Sequence, residues 1–192
     1  ALENNSFFEI SYSDLDSVTA YDNIKPFPIS MKQASVAAID KVNGEITMEY
    51  YPNTERNRSG YKTYRSVNGG GYSLLSTSTN ISTAMHVYQD QGLNTLDNIY
   101  SYYVTVLDSC GNEGLPSDTH TVVNVRVTAF NSANVVQWNH YQGFSSWRYL
   151  IQRYTSTNPV WANVGGGYLS NGINVWNDSD IICDTKYFYR II

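Results

Sequence analysis

The sequence predicts an all-β protein built from β-sandwiches. Tyr, Thr, Ser, Asn and Val are abundant, whereas Leu, Lys, Glu and Ala are sparse, and this balance favours pleated, half-buried strands. Short runs of alternating apolar and polar residues recur between turn residues about every 8 to 12 positions, as in two packed antiparallel sheets. No segment shows a helical period.

A third observation is an internal repeat. Its anchors are three residue pairs: Tyr50 with Trp138 and Arg65 with Arg153, both 88 positions apart, and Tyr102 with Tyr189 at 87. Such a common offset predicts two similar modules in tandem. We expect residues 1–27 to be a leading strand and linker, 28–120 the first module and 121–192 the second.

In the first module, alternation predicts six strands. They fall near residues 34–40, 45–51, 60–66, 72–75, 84–88 and 99–107. In the sixth strand, the run YSYYVTV places Tyr100, Tyr102 and Val104 on one face and mainly polar residues on the other. We therefore expect the face with Tyr100 to be buried.

The second module repeats this pattern. Its strands are predicted near residues 121–129, 134–139, 147–154, 160–163, 173–176 and 186–192. The sixth of these ends the sequence, so we expect this module to lack its last strand here and the chain to be an excerpt of a longer array. Residues 6–12 also alternate, as the last strand of a preceding module would.

Charge and hydropathy exclude two classes of partner. The chain carries 12 basic and 17 acidic side chains, without a basic cluster, which argues against nucleic-acid binding. No apolar run approaches the roughly 20 residues that span a bilayer, so we expect no membrane insertion.

Neither the histidines nor any sequence motif indicates a metal site or a catalytic site. His86, His120 and His140 lie in different predicted strands or linkers without metal-ligand spacing, so we interpret them as surface or strand-edge residues. GxSxG, HExxH and phosphate-loop motifs are absent. We expect no enzyme activity, no cofactor and no bound metal.

Two further motifs have an ordinary reading as turns. The carboxylate pairs in SDLD (13–16) and NDSD (177–180) fit turns better than a calcium loop. The runs NGGGY and VGGGY, which end at Tyr72 and Tyr168, recur at the same repeat position. We interpret both glycine runs as hairpin turns.

Three tryptophans form a candidate ligand platform. Flat rings suit the apolar faces of sugars, and Trp147, Trp161 and Trp176 are the available rings. The alternative is packing on strand faces or at the joint between modules. A platform requires two or three of these rings on one exposed face.

The strand motifs resemble fibronectin type III modules. In that family the second strand usually reads apolar-x-apolar-x-Trp, which VVQW matches at Trp138, with Tyr50 at this place in the first module. The resemblance implies tandem immunoglobulin-like (fibronectin type III) β-sandwiches, with Tyr50 and Trp138 as structural residues.

The sixth strand of that family carries a Leu and then a Tyr six residues later. Leu96 and Tyr102 match this spacing, and in the second module Tyr189 takes the Tyr place with Cys183 near the Leu position. The resemblance implies a tyrosine corner, in which the Tyr102 hydroxyl bonds to upstream backbone.

The same resemblance implies two free thiols. Fibronectin-type geometry puts Cys110 and Cys183 at opposite ends of a head-to-tail tandem, beyond the roughly 7 Å Cα separation that a disulfide spans. It also implies that Cys110 is a turn residue and Cys183 a small core residue.

The finer sequence is similar to modules of large surface and gliding-associated proteins of Bacteroidota that the type IX system exports. YKTYRSVNGGGYSLL and YSYYVTVLDSCGNEGLPS carry this likeness. It implies a non-catalytic spacer or adhesion role outside the cell. The expected partners are neighbouring modules of the same polypeptide and a cell-surface protein or polysaccharide.

Two alternatives stay open at this point. One is a carbohydrate-binding accessory module of a secreted enzyme, which the tryptophan platform would support. The other is an assembly subunit whose second module is completed by a donor strand, with residues 6–12 of the next copy as the donor.

Overall fold

The protein folds into β-strands and connecting loops. The computed structural model describes residues 13–19, 21–144 and 148–192, and within these ranges it contains thirteen strands and no helix. The first seven strands are β1 (Met31–Ala38), β2 (Gly44–Tyr50), β3 (Arg58–Val67), β4 (Ser73–Ser78), β5 (His86–Leu93), β6 (Tyr100–Asp108) and β7 (His120–Thr121). The other six are β8 (Val125–Phe130), β9 (Ala133–Trp138), β10 (Arg148–Thr155), β11 (Asn158–Ser170), β12 (Val175–Asp178) and β13 (Tyr187–Ile191).

Strands β1 to β7 form two antiparallel sheets, and we call this unit the first sandwich. One sheet has the order β1-β2-β5 and the other the order β4-β3-β6-β7. Consecutive strands β2 and β3 therefore lie in different sheets, as do β5 and β6. Each sheet buries one face against the other, as the alternation predicts.

Strands β8 to β13 repeat the arrangement in what we call the second sandwich. Its sheets have the orders β12-β9-β8 and β11-β10-β13. The first, second and fifth strands again oppose the third, fourth and sixth. The predicted all-β, fibronectin type III-like sandwich fold is confirmed, and the domain boundaries at residues 27 and 120 stay a prediction.

Each sandwich has its own cluster of buried side chains. The first cluster includes Ile46, Met48, Tyr61, Tyr102, Val104 and Val106, and the second consists of Val136, Trp138, Tyr149, Ile151 and Tyr189. On β6, Tyr100, Tyr102 and Val104 are each at most 4% exposed, which confirms the predicted inner face. Apolar burial on alternating strand positions is what holds the sheets together.

Every predicted strand within the described ranges overlaps an observed one, and β11 differs most. It continues to Ser170, through the glycines that we interpreted as a hairpin turn. Gly165, Gly166 and Gly167 have φ values of 78°, 77° and 113°. The pairing partner changes there from Val164 to Tyr168 between consecutive residues of β10, so the run is a bulge and not a turn. The equivalent run in the first sandwich is a turn, with a hydrogen bond from the Gly70 amide to the Val67 carbonyl.

The two sandwiches meet through polar contacts. The Asn124 side-chain amide donates to the carbonyl oxygens of Thr95 at 3.0 Å and Leu96 at 3.1 Å. The Arg126 guanidinium donates to the Asp97 carbonyl at 2.9 Å. Side chains from the start of the second sandwich therefore satisfy backbone oxygens of the loop between β5 and β6.

A buried histidine completes this joint. His120 on β7 is 0% exposed, and its Nδ1 lies 2.6 Å from the hydroxyl of Tyr141, which follows β9. That hydroxyl also accepts a hydrogen bond from the Ala34 amide at 2.9 Å. The hydroxyl and Nδ1 share one hydrogen bond, and the tautomer of the imidazole decides which of them donates.

Burial at the joint favours a neutral imidazole. Nε2 is buried without a hydrogen-bond partner among the described residues, so a protonated ring would leave a charged N–H unpaired there. Burial lowers the pKa of His120, and the charge of Asp118 opposes that effect only in part. Of the two readings, surface or strand-edge residue, the second holds, because His120 lies on the edge strand β7, and the first is wrong, because the ring is buried at the joint.

Lowering the pH should destabilise the protein through His120. The folded-state pKa lies below the ordinary value of 6.5, so the folded state binds fewer protons than the unfolded chain. The contribution is complete above about pH 6.5 and is lost as the pH falls below it. Urea unfolding of the wild type and of His120→Gln between about pH 7 and pH 5 measures this loss. The wild type should lose more stability over this range, and parallel profiles would contradict the assignment.

Adding a side chain at Gly143 should also disrupt the joint. Gly143 has a φ of 122°, and a Cβ there would overlap the His120 ring. Gly143→Ala therefore combines backbone strain with a clash, and we expect a loss of about 2 kcal/mol or more in urea unfolding. Gly172→Ala is the matched control, because nothing lies within 4 Å of a Cβ built there. Equal effects of the two substitutions would show that the contact is unimportant.

Candidate functional site

A buried aspartate lies between the two sheets of the first sandwich. Asp90 on β5 is 4% exposed. It accepts hydrogen bonds from the Arg65 guanidinium on β3 at 2.9 and 3.0 Å and from the Tyr102 hydroxyl on β6 at 2.8 Å. Because β5 belongs to one sheet and β3 and β6 to the other, these bonds bridge the sandwich.

The second sandwich contains the same network at the repeat positions. Asp178 on β12 is 1% exposed and accepts from Arg153 on β10 at 2.6 Å and from the Tyr189 hydroxyl on β13 at 2.7 Å. Asn134 donates to the same hydroxyl at 2.9 Å. Arg153 also reaches the exposed carboxylate of Asp180 at 3.2 Å. Asp178 also accepts a hydrogen bond from the Asp180 amide at 3.2 Å, as a turn residue does, but the turn interpretation missed the buried network.

The network keeps both tyrosines protonated. Burial, followed by the charge of Asp90, raises the pKa of Tyr102 far above its ordinary value. Burial likewise raises the pKa of Tyr189, and the hydrogen bond to Asp178 adds to the rise. Both hydroxyls therefore remain donors to a carboxylate. This chemistry suits a structural bond between the sheets.

The tyrosine corner lies at a different residue from the predicted one. The Tyr102 hydroxyl contacts Asp90 and not upstream backbone. Tyr100 makes the backbone contact: its hydroxyl accepts from the Asn94 amide at 3.2 Å and donates to the Asn94 carbonyl at 3.4 Å. Tyr100 and Tyr102 share one face of β6, so spacing alone does not separate their roles.

In the second sandwich, too, the corner contact is made by the tyrosine two positions before the predicted one. Its corner contact is made by Tyr187, whose hydroxyl accepts from the Ile182 amide at 2.8 Å, while Tyr189 bonds to Asp178. Cys183 is exposed, so its predicted core position is wrong. Cys183 and Cys110 are both free thiols, and Cys110 is also exposed.

In the first sandwich, the buried leucine that precedes β6 is not the one that the motif indicates. Leu96 is 42% exposed, whereas Leu93 is 4% exposed and belongs to the core cluster. Leu96 instead supplies a backbone carbonyl to Asn124 at the joint. Leu96 therefore matches the leucine of the sixth-strand motif by spacing, but the buried leucine lies three positions earlier.

Tyr50 and Trp138 occupy equivalent core positions. Each is 4% exposed. The Tyr50 ring stacks on His86 at 5.1 Å between centroids, and Trp138 contacts the Tyr149 ring at 5.8 Å. His86 is itself 6% exposed, so it is not a surface residue, although it lies on the edge strand β5 as the alternative expectation has it.

The structure does not bring the predicted tryptophan platform together. Trp176 lies opposite Val136 on the inner face of its sheet and packs against the second core cluster and Gly165. Trp161 lies on the other sheet, where it contacts Tyr154. Trp147 lies outside the described residues, as do residues 6–12 of the proposed donor strand.

Metal ligands and membrane-spanning segments are not apparent in the described part of the chain. There, no group of three or more His, Cys, Asp or Glu side chains could hold a metal ion. None of the described segments forms a helix long and apolar enough to cross a lipid bilayer.

Comparison with known proteins finds likenesses among solved structures. No protein-family model and no curated protein matches the chain. Among solved structures, the FN1–FN3 domains of chicken CNTN1 align at 18% identity with a TM-score of 0.36. The alignment covers 87% of this chain and 59% of that structure. The fold assignment rests on the strand order within the two sandwiches, and this likeness adds no functional information.

Removing the Tyr102 hydroxyl should weaken the first sandwich. Tyr102→Phe leaves the ring in place but takes one donor from the buried Asp90 carboxylate, so we expect a loss of about 1 to 3 kcal/mol in urea unfolding. Tyr103→Phe is the control, because within the described residues the Tyr103 hydroxyl makes no hydrogen bond and the ring lies on the outer face. If Tyr102→Phe unfolded at the wild-type midpoint, the bond to Asp90 would have no energetic role.

Proposed function

We propose that the chain is a non-catalytic spacer or adhesion segment of a long secreted or cell-surface bacterial protein. The observation that carries this proposal is the polar joint between the sandwiches. A spacer must transmit orientation from one unit to the next, which requires specific contacts in addition to a covalent link.

The joint provides such contacts on two sides. On one side, Asn124 and Arg126 bind carbonyl oxygens of the loop between β5 and β6. On the other, His120 and Tyr141 connect β7 to the segment after β9, and the Tyr141 hydroxyl also accepts from Ala34 on β1. Several directional bonds at separate points restrict both bending and twisting between two units.

The buried networks support the absence of catalysis in this proposal. Asp90 and Asp178 are the deeply buried carboxylates whose arginine and tyrosine partners come from the facing sheet. Their polar atoms are used to join the sheets and do not line a cleft. The location outside the cell and the likeness to type IX secretion cargo rest on the resemblance of the sequence.

Residual dipolar couplings measured by NMR test the spacer function. We expect couplings from both sandwiches of the wild type to fit one alignment tensor, because a fixed joint makes them tumble together. Asn124→Ala removes the bonds to Thr95 and Leu96, so the two sandwiches should then require separate tensors. Asn43→Ala, an exposed substitution between β1 and β2, should keep a single tensor. Separate tensors in the wild type would contradict a rigid spacer.

The cellular location needs its own measurement. Antibodies raised against the chain should label intact cells that produce the parent polypeptide, without permeabilisation. Labelling that requires permeabilised cells would contradict a surface role and leave the spacer geometry unaffected.

A further inference from the structure

The outer face of sheet β11-β10-β13 carries a row of aromatic rings. Tyr154 on β10 lies between Phe188 on β13 and Trp161 on β11. Its ring stacks on Phe188 with a centroid distance of 4.4 Å and an angle of 10°, and it meets Trp161 edge-on at 4.5 Å. All three residues are half-buried. They lie on the face opposite the core residues Ile151 and Tyr189.

A row of polar side chains runs beside the rings, one step along the strands. The Arg190 guanidinium donates to the Gln152 side-chain oxygen at 2.8 Å, and the Gln152 amide donates to the Asn163 oxygen at 2.8 Å. Arg190 also lies 4.3 Å above the Trp161 ring. These bonds fix the amides and the guanidinium next to the aromatic surface, which is the combination that orients a polar ligand with apolar faces.

The charge of this face is opposite to that of the whole protein. The chain has a formal net charge of −5, yet β10, β11 and β13 contain no Asp or Glu. Arg148 on β10 and Arg190 on β13 belong to the outer face, whereas Arg153 points inward to Asp178. Lys186 lies 5.0 Å from the Phe188 ring and Arg148 lies 5.8 Å from the Tyr168 ring. Among the described residues, the ion pairs do not include Lys186, Arg190 or Arg148.

The equivalent face of the first sandwich has aromatic rings without this charge. Tyr64 and Tyr103 stack there at 4.8 Å. The neighbouring Lys62 pairs with Glu113 at 2.7 Å, and Glu113 also accepts from the Tyr64 hydroxyl at 2.7 Å. The positive charge is therefore neutralised on the first sandwich and left available on the second.

We propose that the outer face of β11-β10-β13 is a binding site for an acidic polysaccharide. The apolar face of a sugar ring packs against Trp161, and the sugar carboxylates pair with the guanidinium of Arg190 and the ammonium of Lys186. The amides of Gln152 and Asn163 meet sugar hydroxyls.

A single-stranded nucleic acid also combines flat groups with negative charge, but it requires a longer basic groove than this face offers. The site goes beyond the spacer function, because it exists whether or not the joint is rigid.

Affinity electrophoresis of the whole chain tests this site. The wild type should be retarded in a gel that contains polygalacturonate and should migrate normally in dextran, a neutral polysaccharide. Trp161→Ala should weaken polygalacturonate binding by about tenfold or more, as the loss of a central aromatic contact does in other interfaces. Arg190→Gln should also weaken it, and because this residue is on the surface the variant should fold normally. Tyr103→Ala, on the equivalent face of the first sandwich, is the matched control and should bind like the wild type.

Several results would overturn the proposal. Absence of retardation in polygalacturonate would do so, and so would unchanged binding by both Trp161→Ala and Arg190→Gln. Equal binding of polyglutamate or oligothymidylate would show attraction of any polyanion and not recognition of a sugar. Equal retardation in dextran would show that the cations are unnecessary. Circular dichroism of each variant separates loss of binding from loss of the fold.

Discussion

The buried carboxylate in each sandwich is the constraint on which the arrangement of the sheets depends. A charged Asp90 or Asp178 in the space between two sheets is tolerated only with donors close by, because burial of an unpaired charge is costly. Those donors come from the facing sheet: Arg65 and Tyr102 in the first sandwich and Arg153 in the second. Apolar contacts favour any close packing of the sheets, whereas this network is satisfied in a single alignment of β3, β5 and β6 or their counterparts.

This use of the inner face leaves the outer faces free to differ. The inner residues repeat closely, since Arg65, Asp90 and Tyr102 have counterparts at nearly the same offset. The outer residues do not: Glu113 neutralises the aromatic face of the first sandwich, while Arg190 remains unpaired by any described carboxylate on the second. A repeated fold with divergent surfaces is expected when the repeat provides the scaffold and the surface provides recognition.

Alternation and the repeat made the strands predictable from sequence, because both follow directly from the two-residue period of a pleated strand. The side-chain partners were harder to predict. Tyr100 and Tyr102 share a face, so only the position of Asp90 on another strand decides which one makes the corner contact. The separation of Trp161 and Trp176 could not be predicted for a different reason. The two residues lie on different sheets, and the sequence does not show which strands pair. One signal was available and missed, since Asp90 and Asp178 repeat at the same 88-residue offset as the two arginines.

The joint illustrates why a polar contact suits the connection between two sandwiches. A large apolar interface would hold them firmly, but each sandwich would then expose that surface whenever the partner moved away. Asn124 donates to backbone oxygens and Tyr141 accepts from the Ala34 amide, and these hydrogen bonds fix the orientation at little cost in exposed apolar area. The His120 ring packs beside Tyr141, and its burial makes protonation at this point costly. Rigidity at this joint therefore rests on directional hydrogen bonds and on a buried ring whose pKa is lowered by burial.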